Sequence, residues 1–184
     1  MSIDQKNEQI FSDLGKRIGK IVQSAVRQAF ALQGHDLTGA LSKSIKYEVE
    51  AKTDSAKIEF MLLNYGMVLN YGVTPARIPF TSGSGAKGSK YIDGLKMFAK
   101  FRFGADEKTA TRIAFAIAHK HKKYGMPIDK RKTKAIFNAL ESVDDKLKQM
   151  INDAMEQVCT LLFVSAFTDV AKKDSNNIKI EINL

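Results

Sequence analysis

Cysteine is almost absent: the one residue, Cys159, rules out an internal disulfide and any cysteine-rich metal site. It stands in the apolar run "QVCTLLFV", where the expectation is a small buried hydrophobe. Histidine is scarce as well, with three in 184 residues. No apolar stretch reaches the roughly 18–20 residues that cross a bilayer. The opening "MSIDQKNEQI" lacks the basic-then-apolar order of a secretion signal. These absences set the expectation of a soluble protein kept in a reducing cytoplasm, with no membrane partner. There is no internal repeat. Hydrophobic residues at 44% and charged residues at 27% suit one globular domain with a core of its own.

What the chain does have is unevenly placed charge. Residues 1–86 carry 10 basic and 8 acidic side chains, residues 87–134 carry 14 and 4, and residues 135–184 carry 5 and 8. The middle segment, at +10, therefore holds essentially the whole net charge of +9. A local basic surface suits a polyanion or an acidic partner, and equally a solvated face. Its densest part is "HKHKK" followed by "DKRKTK", with Lys120, Lys122, Lys123, Lys130, Arg131, Lys132 and Lys134.

Periodicity orders the elements. Residues 5–33 form an amphipathic helix with the stripe Ile10, Leu14, Ile18, Ile21, Ala25, Ala29 and Leu32. Gly15 and Gly19, four apart in it, allow close approach of a neighbour. Thr38 is the expected N-cap of a short turn that sends Leu41 and Ile45 inward. The period then becomes two: Ile45, Tyr47, Val49 and Ala51, then Ile58, Phe60 and Leu62, make a hairpin. "NYGMVLNYGVTPARIPF" predicts a short helix and an extended strap. Residues 81–90, with no large apolar side chain, predict a loop. A short helix ends at Gly104, and "DEKTATRIAFAIAHKHKK" follows, acidic at its start and basic at its end as a helix dipole favours. A last helix spans about 134–172, with Ile136, Leu140, Val143, Leu147, Met150 or Ile151, Ala154 and Val158 on one face. "NIKIEINL" closes the chain as a strand. The expected fold is α+β: a small antiparallel sheet (hairpin plus C-terminal strand) packed by two long helices, with a basic helical insertion. It is one domain over 1–184, with 81–134 as an inserted loop and helical subdomain.

The chemistry is negative. "GSGAKGSK", residues 83–90, spaces Gly83 and Gly88 like a phosphate-binding loop but ends Ser89-Lys90, the reverse of the required Lys-[Ser/Thr]. The proline-rich segment before it is no central strand. His119 and His121 are two apart on a helix and point about 200° away from each other, so they cannot clamp one metal. No catalytic constellation, cofactor site or metal site is expected. Tyr91, Phe98, Phe101, Phe103 and Tyr124 lie among the basic residues and suit either packing or stacking on unpaired bases.

Residues 37–80 carry a resemblance. "LTGALSKSI" is similar to a "TGxLrxSI" turn, with Thr38, Gly39, Leu41, Ser44 and Ile45 in place. "YGMVLNYGV" is similar to "YAxxvEfGT", matching at Tyr65 and Gly72, and "ARIPF" supplies Pro79 and Phe80. Asn70 stands for the usual acid and Val73 for the usual threonine. The segment thus resembles the small tail-completion, or head–tail connector, proteins of tailed bacteriophages. The resemblance implies a non-catalytic virion subunit in the neck or tail, made in the bacterial host cytoplasm. It implies a homo-oligomeric ring, sixfold or twelvefold, docked to portal, adaptor or tail proteins. Tyr65, Gly72, Pro75, Pro79, Phe80, Gly83, Gly85 and Gly88 are then the expected subunit-interface or docking residues, and the basic segment faces packaged DNA or an acidic ring. The alternative is a non-specific nucleic-acid-binding protein using residues 87–134.

Overall fold

The computed structural model describes residues 2–34, 38–81, 89–127 and 133–173. The fold is a small, mostly helical α+β arrangement. Among the described residues it has six helices and one two-stranded antiparallel sheet. In chain order these are α1 (Ile3–Leu32), α2 (Ala40–Ser44), β1 (Lys46–Ala51), β2 (Ala56–Met61), α3 (Asn64–Tyr71), α4 (Lys90–Phe103), α5 (Glu107–Tyr124) and α6 (Ala135–Lys173). The expected C-terminal strand and the glycine loop 82–88 lie outside the described residues. The chain divides into two compact units, one of residues 1–22, 47–60 and 143–184, the other of 23–46 and 61–142. The segment 81–134, expected as an insertion, falls within the second.

In the first unit Phe11 and Leu14 of α1 meet Met150, Ala154 and Val158 of α6, with Ile10, Ile18, Ile21, Ala51 and Ala56 packed around them. Each of the larger of these side chains contributes about 1.5–3 kcal/mol on full burial, and an alanine under about 1 kcal/mol. The first strand of the hairpin alternates as its sequence demands, with Tyr47, Val49 and Ala51 half-buried between exposed charges, whereas in β2 Ile58 is half-buried but Phe60, expected on the same face, is exposed. The hairpin can lie close to α1 because that face carries Gly15 and Gly19. A Cβ at Gly15 would sit 2.5 Å from Val49, and one at Gly19 would run into the Tyr47 ring.

The buried face of α1 is Asn7, Phe11, Leu14, Val22, Val26 and Phe30, rotated by about one residue from the expected stripe. Leu32 is exposed, and Ala25 and Ala29 are half-buried. The larger side chains and the two glycines, which let another element approach, decide which face turns inward. On α6, Val143, Leu147, Met150, Ala154 and Val158 line the inner face as expected, but its start is turned by Ala135 and Ala139. Ile136 is half-buried and Leu140 exposed. Cys159, expected inside, is exposed, because it lies about 100° around the helix from Val158.

The second unit holds the remaining elements. Leu41 and Ile45 are fully buried, as the turn predicted. The cap of α2 is Gly39, at φ 72°, rather than Thr38, one residue earlier. A left-handed φ at this position suits a residue without a Cβ. Helix α2 ends against α1: Arg27 donates to the carbonyls of Ser42 and Ile45 at 2.9 Å each, and Gln23 donates to that of Ile45 at 2.7 Å. These side chains satisfy carbonyls that a helix end leaves without partners. Helices α4 and α5 form a helical hairpin whose buried positions are mostly small, Ala99, Ala110, Ala114 and Ala118, with Ile92 and His121 the larger exceptions. Asp106 caps α5 by accepting from the Thr109 backbone N–H at 2.9 Å, and Lys100 pairs with Glu107 at 2.5 Å.

Candidate functional site

The residues that carry the phage resemblance come together around α2, α3 and the strap that follows. Ser44 donates to the Leu41 carbonyl at 2.7 Å and accepts from the Leu63 N–H at 3.2 Å, tying the turn to the start of α3. Gly66 lets α3 approach Leu41; a Cβ there would stand 3.0 Å from the Leu41 Cδ1. Asn70, at the position where the resembled motif carries an acid, is 2% exposed. Its backbone carbonyl accepts from the Lys134 N–H at 2.8 Å, and its Oδ1 accepts from the Ile136 N–H at 2.9 Å. Asn70 therefore caps the N-terminus of α6 from another element, supplying the acceptors that the first turn lacks.

The strap begins at Gly72, where φ is 78° and a Cβ would lie 2.9 Å from the Met126 carbonyl oxygen. Val73 and Met126 then exchange backbone hydrogen bonds of 2.6 and 2.9 Å. Pro75–Arg77 make one 3-10 turn. Ile78 and Phe80 bury themselves with Ile92, Ala114 and Ala118. Phe80 sets its ring edge-on to His119, with centroids 4.9 Å apart, and to Phe115 at 6.3 Å. Lys122 donates to the Ile78 carbonyl at 3.2 Å. Beside it, the Tyr91 hydroxyl and His121 Nδ1 are 2.8 Å apart. Burial pushes the His121 imidazole below its usual value and the Tyr91 phenol above its own.

Of the expected docking residues, Phe80 is an internal anchor, Gly72 a close-approach point and Pro75 the start of the turn. Tyr65 and Pro79 reach solvent. Gly83, Gly85 and Gly88 lie outside the described residues, as do Lys130, Arg131 and Lys132. Lys120 and Lys123 are exposed at the end of α5, and Lys123 stands 5.1 Å from the Tyr124 ring centroid. Lys122 is tied to the strap. Lys134 is exposed, with φ at 62°, where the chain enters α6. The two histidines take separate roles, His121 buried and His119 exposed against Phe80. Among the described residues no three His, Cys, Asp or Glu side chains gather to hold a metal ion, and no helix is long and apolar enough to cross a membrane.

Sequence reasoning missed the exposed apolar surface. Met67 and Tyr71 on α3 stand in solvent, and the Tyr71 ring meets Phe137 edge-on at 5.8 Å. Met97, Phe98, Phe101 and Phe103 do the same on α4, and Ile151, Met155, Leu162, Phe163 and Phe167 on α6. The signal was present in α3 and the end of α6, which are apolar around most of the helix. No family model matches the chain, and neither a curated protein nor a solved structure does.

Proposed function

We propose that this chain is a non-catalytic structural subunit of the head–tail connector or neck ring of a tailed phage. It assembles with copies of itself and docks to portal, adaptor or tail proteins. One observation carries the reading: twenty large hydrophobic side chains are exposed among the described residues. An isolated soluble chain rarely leaves apolar side chains in water on that scale, whereas an assembling subunit covers them with neighbours. The resemblance over residues 37–80 supplies the kind of assembly. Of its motif residues, Leu41, Ile45 and Phe80 are buried in the second unit, and Tyr65 and Pro79 are exposed.

Light scattering or native mass spectrometry on the purified chain, alone and with a portal-type ring, is the test. The expected result is a ring-sized oligomer, or a monomer that assembles on the portal. A chain that stays monomeric in both samples ends the proposal.

A second reading, non-specific nucleic-acid binding, is favoured by one feature of α4 and α5. Exposed Lys100, Arg102, Lys108, Arg112, Lys120 and Lys123 share that hairpin with exposed Phe101, Phe103 and Tyr124. It requires DNA affinity that falls steeply with salt and with Lys120→Glu and Lys123→Glu. Within the connector reading the same lysines face DNA or an acidic ring.

A further inference from the structure

The fold sorts the bases of α5 into two groups. Lys122 is tied to the strap, donating to the Ile78 carbonyl at 3.2 Å. Lys108, Arg112, Lys120 and Lys123 are exposed. At 100° per residue these four fall within about one third of the helix circumference. The buried Ala110, Ala114, Ala118 and His121 occupy the opposite side. Only Thr109, Ala116 and His119 share the sector with the four bases, so it holds no carboxylate and no large apolar side chain. The acids at the start of α5 are engaged elsewhere: Asp106 caps the helix, and Glu107 pairs with Lys100. Among the described residues no carboxylate forms an ion pair with any of the four.

We infer that this face of α5 binds the phosphate backbone of duplex DNA. Lys108 and Lys123 are separated by about 22 Å along the helix axis, at 1.5 Å per residue. Phosphates of one strand recur about every 3.4 Å along a duplex, so four bases spread over that length can each meet one. Small residues between the bases, Thr109 and Ala116, let a backbone come close to the helix.

The make-up of the face separates this partner from others of negative charge. A protein interface has an apolar centre and is depleted in lysine, whereas a DNA interface is polar and strongly positive. A helix that lies on a lipid surface turns its apolar side to the lipid, but the apolar side of α5 faces the interior, with Ile78, Phe80 and Ile92. Unpaired bases need rings to stack on, and no Phe, Tyr or Trp stands in the sector. Phe101 and Phe103 belong to α4. The inference rests on the nucleic-acid reading and narrows it from the whole basic segment to one helix face and the duplex backbone.

Fluorescence anisotropy of a labelled duplex of about 20 base pairs, titrated with the full-length chain at roughly 50–200 mM salt, is the test. Four phosphate contacts give log K a slope of about −3.6 against log salt, a loss of roughly 150-fold over that range. Arg112→Gln and Lys123→Gln are each expected to make the slope shallower by about one, and Arg112→Lys to restore it. Lys57→Gln removes the same charge from the hairpin and is expected to leave the slope unchanged. Circular dichroism checks that helix content is kept; should one glutamine variant lose helix, the other still decides. Duplex binding whose slope ignores both α5 variants, or follows Lys57→Gln equally, overturns the inference and leaves the nucleic-acid reading in place. A single strand bound more tightly than the duplex, and released by Phe101→Ala, does the same. Binding to neither strand form ends both, as does a chain that binds anionic phospholipid vesicles through Arg112 and Lys123 but no DNA.

Discussion

Gly19 shows how a single residue decides between two opposing effects. Alanine in its place would favour the helix by about 1 kcal/mol. The added methyl, however, would enter the space of the Tyr47 ring. Overpacking of this kind costs about 1–3 kcal/mol. Gly19→Ala should therefore lower stability by a net of up to about 2 kcal/mol in urea denaturation. Gly94, with open space where its Cβ would be, is the contrasting case: Gly94→Ala should raise stability by up to about 1 kcal/mol.

His121 makes a comparable argument in pH. Burial holds its pKa below the usual 6.5, so the unfolded chain takes up its proton first as pH falls. Its contribution to stability is complete above about pH 6.5 and is lost as pH drops through the folded-state value. Thermal melts from pH 7.5 downward should show a declining midpoint that His121→Gln partly flattens. The glycine pair could be read from its spacing. The histidine's partner Tyr91, 30 positions away, could not.

At the scale of elements, the helices with strong local signals were legible. Helix α5 has its acidic start, its Asp106 cap, its basic end and Gly125 after it. Helix α4 stops at Gly104 with φ at 62°. The N-terminus of α6 is different, because its acceptor is Asn70, in α3, 66 positions earlier. Asn70→Ala removes that acceptor and leaves a buried helix end without it, which should cost about 1–3 kcal/mol. Asn70→Asp keeps an acceptor there and should be the milder change. Guanidinium unfolding of the two variants side by side checks both. The rotated stripe of α1 has a related cause. Periodicity identifies an apolar sector, but Ile10 and Phe11 both satisfy it, and the approach of the hairpin to Gly15 and Gly19 selects between them.

For the molecule as a whole, the excess positive charge lies in residues 87–134 and the exposed apolar surface on α3, α4 and α6. Counting charge along the chain locates the first. Only folding exposes the second, since hydropathy cannot tell which apolar residues remain without a cover inside one chain. The sequence by itself determined the order of helices and hairpin, the glycine stops and the turn that buries Leu41 and Ile45. Those features depend on contacts within a few residues. Tertiary structure alone decided the outward placement of Cys159 and Phe163, the burial of Phe80 and the capping role of Asn70. Each depends on which distant element arrives, and no local pattern encodes that.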